Sequence, residues 1–249
     1  MLERASSGQR YCASSGCRQE VFVELREYMS VRRAYNLVRQ SMESNRRLTF
    51  EEFSILCKLD VAGEPIKTSD IAEYQGALRP TMTHRTNHLA RLGFIDRGEG
   101  VTDHRNIVCT ISEDGRAFVR DLSQRTCARI PAGQPLARTS AERIRKYVDS
   151  MGSVYCTAGD LVLLGLLCAP DGSSTIMRLV DALGLLQPTV SMSVSSLCEA
   201  GLVERGHQGD GGRTASVSLT EEGMATARVL GERISKVVVH RKARKLREA

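Results

Sequence analysis

The chain repeats itself once. Residues 48–120 lie on residues 156–228 at one fixed offset of 108 positions (188 − 80), with no gap. Arg79-Pro80-Thr81-Met82-Thr83 falls on Gln187-Pro188-Thr189-Val190-Ser191, Leu89 on Leu197, Gly93 on Gly201 and Arg97-Gly98 on Arg205-Gly206. Ser112-Glu113-Asp114-Gly115 falls on Thr220-Glu221-Glu222-Gly223. A fixed internal period marks a duplicated structural unit. This period is too long for a solenoid repeat and has the size of a small domain. The expected organisation is a flexible leader over 1–17, one domain over 18–130, a Pro/Gly-containing linker over 131–139 and a second domain over 140–249.

Trp is absent and aromatics make up only 4% of the residues, so the cores must be mostly aliphatic. That favours helix packing over a sandwich. The net charge of +6 fits a polyanionic partner only where the cations cluster. The N-terminus carries no apolar signal segment. The longest apolar run, Leu161–Ala169, stops at Pro170, well short of the roughly 20 residues a membrane span needs. A cytoplasmic protein without membrane contact is expected. None of the eight cysteines forms a C-x-x-C pair, and most lie in apolar runs such as Ile55-Leu56-Cys57 and Leu197-Cys198. Buried, reduced thiols are the expectation there. Cys12 and Cys17 fall in the leader.

Val21, Leu25, Tyr28, Val31, Tyr35, Val38 and Met42 recur at spacings of three and four. They predict one long amphipathic helix with Arg26, Arg32, Arg33 and Arg39 on its outer face. Each repeat then reads helix, short helix, turn, Pro-started helix, two-stranded hairpin, helix. Thr49 caps the first of these; Thr68 or Ser69 caps the short one; Gly76 breaks it. Pro80 sits in the first turn of the next helix, and Gly93 ends it. Residues 94–97 and 106–111 are the hairpin strands, and Ser112 caps the closing helix. In the second repeat Pro188, Gly201 and Thr220 hold the same places, and the last helix carries Ala227, Leu230, Ile234 and Val238 before a basic tail. Short helix plus Pro-started helix is a helix-turn-helix, and the hairpin is its wing.

The ordered set Arg79-Pro80-Thr81-Met82-Thr83, Leu92-Gly93-Phe94-Ile95, Asp103-His104-Arg105 and Thr110-Ile111-Ser112-Glu113-Asp114-Gly115-Arg116 resembles the winged-helix core of the MarR family of bacterial transcriptional regulators. The second repeat resembles it through Gln187–Ser191, Gly201-Leu202-Val203-Glu204-Arg205 and Ser218–Gly223. The resemblance implies a mainly α fold with small β-hairpins (α+β). Two tandem winged helix-turn-helix lobes would be joined through a helical hub as a pseudo-dimer. It implies a DNA-binding regulator, expected to be a repressor and responsive to a small-molecule effector, present as a monomer or a homodimer. Residues 20–42, 112–128, 140–151 and 220–240 are the expected hub.

Within that frame the Pro-started helix presents its first turns to base edges in the major groove of double-stranded DNA. Arg79, Thr81, Thr83, His84, Arg85 and His88 hold those positions in the first repeat. His84 and His88 remain open between groove contact and solvent, and His88 has a third place beneath the helix. Arg105 at the wing tip reaches the minor groove, with Asp103 steadying the wing, and Lys67 and Arg97 touch phosphates. The second reading helix offers Gln187, Thr189, Ser191 and Ser193, with no cation before Glu199. Arg205 and Arg213 stand where Arg97 and Arg105 do, and Asp210 takes the wing-support place one residue further from its arginine. Unlike helices imply an asymmetric operator, and Arg85→Ala is expected to weaken binding more than Ser193→Ala. Tyr28, Tyr35, Tyr147 and Met151 are either core or the lining of an effector pocket.

No G-x-S-x-G, H-E-x-x-H or phosphate-loop signature is present, and the five His are scattered. Catalysis, a cofactor and a metal are therefore not expected. The rival reading is a winged-helix module that binds another protein without specific DNA binding.

Overall fold

The computed structural model describes residues 19–100, 107–207 and 215–241. The first repeat comprises α2 (Phe50–Ala62), β2 (Ile66–Lys67), α3 (Thr68–Gln75), α4 (Arg79–Arg91), β3 (Ile95–Glu99), β4 (Ile107–Ile111) and α5 (Glu113–Ala128). The second comprises α7 (Ala158–Leu167), β5 (Ser173–Thr175), α8 (Ile176–Leu183), α9 (Gln187–Glu199), β6 (Val203–His207), β7 (Ala215–Leu219) and α10 (Glu221–Ser235). The sequence offset carries α3, α4, β3 and β4 onto α8, α9, β6 and β7 residue for residue. Each repeat has one three-stranded antiparallel sheet, ordered β2-β4-β3 and β5-β7-β6. The fold is mainly helical with small hairpins: two tandem winged helix-turn-helix lobes on a shared helical hub.

Local chemistry sets the element ends. Thr49 accepts from the Glu52 amide while the Glu52 carboxylate accepts from the Thr49 amide, a reciprocal cap whose side-chain half is typically worth about 1 kcal/mol. Thr157 and Asp160 repeat it at α7. The closing helices show why the Ser/Thr-x-x-Gly pattern recurs. Ser112 Oγ accepts from Gly115 N at 3.0 Å and donates to Gly93 O at 2.6 Å. Thr220 does the same with Gly223 N and Gly201 O, at 3.0 and 2.8 Å. One hydroxyl thus joins the end of the reading helix to the start of the closing helix. The glycine is needed because a Cβ at Gly115 would lie 2.0 Å from the Phe94 carbonyl oxygen, and one at Gly223 1.8 Å from that of Leu202.

Two further helices, α1 (Leu25–Gln40) and α6 (Ala141–Met151), connect the lobes. α1 packs on α5 and α6 and also on α7, α8 and α10, while α6 packs on α2 and α5. Each leading helix therefore leans on the other repeat. Tyr35 anchors α1, stacked on Phe53 with centroids 5.0 Å apart and edge-on to Phe50 at 5.5 Å, its hydroxyl donating to Leu48 O at 2.9 Å. Asp60 on α2 takes Arg116 of α5 at 3.2 Å and Arg145 of α6 at 2.5 Å. Residues 131–139 form turns strapped to the hub, with Ser30 Oγ donating to Pro135 O at 3.0 Å.

Several expectations are corrected. The first helix does not begin at Val21: Gln19–Phe22 is a strand, β1, paired antiparallel with β8 (Val238–Arg241). Val21 and Phe22 face Val239 and Val238 in that register, and β-branched side chains suit a ladder better than a helix end. For the same reason the last helix stops at Ser235, and Val238 belongs to a strand. Glu24, with Glu27, caps α1 instead. The N-cap of α3 is Lys67, without a side-chain cap. Arg32 is not on the outer face. It is buried, its Nη1 lies 3.7 Å from Glu51 Oε1, its Nη2 donates to Cys156 O at 3.3 Å, and its guanidinium lies 4.2 Å from the Phe50 ring centroid. Cys57, Cys109 and Cys156 are buried free thiols, whereas Cys168 is free and exposed. The leader and the tail beyond Arg241 lie outside the described residues.

Candidate nucleic-acid interface

Met82, Thr86 and Leu89 form the inward stripe of α4, and Ile71, Ala72 and Gln75 that of α3. The αL residue Gly76 (φ 57°) turns the chain between them. That packing leaves Arg79, Pro80, Thr81, Thr83, His84, Asn87 and Arg91 exposed on the outer face of α4. No acid occurs in α4, so its exposed face carries only neutral and basic groups. An open groove runs beside it, lined by His84, Asn87, Ala90, Arg91 and Arg97.

Two of the expected contacts are engaged from within. Arg85 Nη1 donates to Gln75 Oε1 at 2.7 Å, and its guanidinium lies 5.9 Å from the Tyr155 ring centroid. Gln75 passes the link on, its Nε2 donating to Glu51 O and Ser54 Oγ, both at 2.8 Å. His88 lies against Glu52, Nδ1 to Oε1 2.6 Å, in the third of the places open to it. These bonds fix α4 to α3 and α2. Gln75 is a positioning residue that the sequence pattern did not single out, since a buried amide on the inner face leaves no periodic signal. Lys67 is exposed at the start of α3. Arg97, on β3, donates to Asn87 Oδ1.

In the second lobe Val190, Val194 and Leu197 face inward, and Gln187, Met192, Ser195 and Ser196 are exposed. Thr189, Ser191 and Ser193 are half-buried. Arg205 Nη2 donates to Ser195 Oγ at 2.8 Å, reproducing the Arg97–Asn87 link at the repeat-equivalent positions. The Gln75 equivalent is Leu183, buried and apolar, so the internal polar link is missing. The carbonyls at the end of α8 are taken by α1 instead: Arg33 Nε donates to Asp181 O at 2.6 Å, Asn36 to Leu183 O at 2.8 Å and Gln40 to Gly184 O at 2.5 Å. Donors, one of them cationic, at a helix C-terminus satisfy its open carbonyls and its dipole. Pro80 and Pro188 are both exposed. The wing residues Asp103, Arg105, Asp210 and Arg213 lie outside the described residues.

Tyr28, Tyr35, Tyr147 and Met151 are fully buried in the core of the hub. Burial pushes the Tyr28 and Tyr35 hydroxyls upward in pKa. The same cause raises the Cys109 thiol despite the Thr68 bond and the nearby Arg97 charge. Among the described residues no cluster of three or more His, Cys, Asp or Glu is placed to hold a metal, and no helix is long and apolar enough to cross a membrane.

Two family models match the chain, both described as MarR family, at residues 48–107 and 157–214. No curated protein matches it. Among solved structures the chain is similar to the YusO protein of Bacillus subtilis, at 18% identity over 41% of this chain and 67% of that one, with a TM-score of 0.33. It is also similar to BpsR of Bordetella bronchiseptica, whose DNA binding is described as regulated by 6-hydroxynicotinic acid, at 21% identity, 45% and 81% coverage and a TM-score of 0.35. CouR of Rhodococcus jostii RHA1, solved with p-coumaroyl-CoA, aligns at 21% identity, 51% and 85% coverage and a TM-score of 0.34. With a family match on each repeat, and each repeat folded as a helix-turn-helix with its hairpin, the chain carries two MarR-family winged-helix regions in tandem.

Proposed function

We propose that the chain binds double-stranded DNA as an intramolecular pseudo-dimer, with 18–130 and 140–249 each supplying one winged helix to an operator of unlike halves. The observation that carries this reading is the crossed hub. α1 holds the end of α8 and α6 packs on α2, so the two exposed reading helices share one support within a single chain. Reading helices about 34 Å apart enter successive major grooves. The first lobe brings Arg79, Thr81, Thr83, His84 and Arg91 to the groove, and the second brings Gln187 with its hydroxyls. Arg79, exposed in the first turn, is free to face a guanine, whereas Arg85 is bound to Gln75. Arg105 and Arg213 supply the wing contacts, steadied by Asp103 and Asp210. Lys67 and the strand arginines Arg97 and Arg205 add phosphate contacts. Arg97 and Arg205 also brace the reading helices.

Bound over a promoter, such a protein represses transcription. A small molecule that prefers a different lobe spacing releases it by population shift. The test is a titration of the full chain against duplexes from its own upstream region over a range of salt. Binding should weaken with salt, and Arg79→Ala should reduce both the affinity and the steepness of that dependence, whereas Gln187→Ala should reduce affinity alone. A chain that shifts no duplex at moderate salt is instead a protein-interaction module.

A further inference from the structure

We propose that Met192 is a specificity-determining residue that reads a thymine methyl, so that the half-site under α9 requires a T·A pair where the half-site under α4 is read by polar and cationic groups. The inference rests on the DNA-binding reading above and names which base the second lobe selects.

No residue of Gln187–Glu199 is cationic. Of its hydroxyls, Ser195 is already used twice, accepting from Arg205 and donating to Ser191 O at 3.1 Å. Met192 is the most exposed large apolar side chain on the helix, at 74%. The repeat offset places it where α4 carries His84, also exposed. Leu186, exposed just before the helix, has an exposed counterpart in Leu78 and distinguishes nothing between lobes. Met177, exposed at the start of α8 where the first lobe has Ser69, lies off the reading helix, so Met192 is the apolar difference on that helix. A single exposed methionine needs no function by itself. This one occupies a position that a winged helix turns toward base edges, on a helix that lacks the cations normally used there.

In the major groove only thymine presents an apolar group, the C5 methyl. A flexible thioether fits it with little cost in geometry. Removing one methyl from water is worth about fourfold in affinity.

The experiment uses the full chain and the best duplex selected from a random pool. Each thymine in turn is replaced by deoxyuridine, which removes the methyl and leaves every hydrogen-bonding group in place. For the wild type, one replacement in the half-site under α9 should weaken binding about fourfold. For Met192→Ala, whose side chain is exposed and whose fold is unaffected, that same replacement should have no effect. Replacements under α4 should act equally on both proteins. If the uridine penalty is unchanged in Met192→Ala at every thymine, the inference is overturned while the DNA-binding reading stands. If the chain selects no duplex, the reading itself fails and takes the inference with it.

Discussion

Asn36, on α1, donates its side-chain amide to the carbonyl of Leu183, the last residue of the helix before the second reading helix, at 2.8 Å. The partners lie 147 positions apart, so this bond is tertiary in the strict sense. With Arg33 and Gln40 it replaces the internal Gln75 link that positions the first reading helix. The two reading helices are thus set by different chemistry, one from within its lobe and one from the hub.

Removing the hub bonds should loosen the second lobe selectively. Asn36→Ala with Gln40→Ala is expected to cost about 1 kcal/mol per lost bond in urea denaturation. Footprint protection should fall over the half-site under α9 before the other. Gly184→Ala should act in the same direction, because its Cβ would lie 2.6 Å from Arg33 O at a residue with φ 60°. Equal loss over both halves would argue against a separate support.

Gly115→Ala and Gly223→Ala test the junction between each reading helix and its closing helix. In an open helix, Gly to Ala stabilises by up to about 1 kcal/mol. Here the new methyl meets a backbone carbonyl at 2.0 or 1.8 Å, so the sign should reverse, with a loss on the order of 2 kcal/mol or more. Thermal unfolding of each variant checks this.

Arg32→Ala should be among the most damaging single changes in the hub. It removes the guanidinium beside Glu51, the bond to Cys156 O and the contact over Phe50. It also leaves a buried carboxylate without its partner, a loss typically of about 3 kcal/mol. Arg32→Ala with Glu51→Gln should recover part of it, and a double-mutant cycle in denaturant reads the coupling.

Much of the fold was legible because its punctuation is local. Pro80 and Pro188 start helices, Gly76 and Gly93 end them, and Ser112 and Thr220 cap the next ones; each acts within a few residues of itself. The strand pair β1–β8 was not legible. Val21 fits the helical stripe of Leu25 and Tyr28 as well as it fits a ladder, and its partner Val239 lies at the other end of the chain. Arg32 escapes the pattern for a related reason: a periodicity of charges assigns it to the outer face, whereas Glu51 and Phe50 of its own lobe and Cys156 of the other cover it. Gln75, Arg33, Asn36 and Gln40 donate to backbone carbonyls, which no residue pattern marks.

The hub should carry a pH signature. Burial pushes the Asp149 carboxyl up to about 6 from an ordinary 3.8, against the opposing charges of Lys58 and His240. Lys58 Nζ is 3.9 Å away, and Tyr74 donates to the backbone oxygen of the same residue. Because the folded-state value lies above the unfolded one, this group favours folding below about 4, and that advantage is lost as pH rises through about 6. The stability difference between Asp149→Asn and the wild type should therefore grow in favour of the variant by about 2 kcal/mol across that window. Denaturation at pH 4, 5, 6 and 7 measures it, and a constant difference would contradict the assignment.

The central claim is that one chain supplies both reading helices. Sedimentation of the full chain with its selected duplex, combined with hydroxyl-radical footprinting, tests it most directly. The account predicts one chain per duplex and two protected patches about one helical turn apart. Two chains per duplex, or a single protected patch, would contradict it.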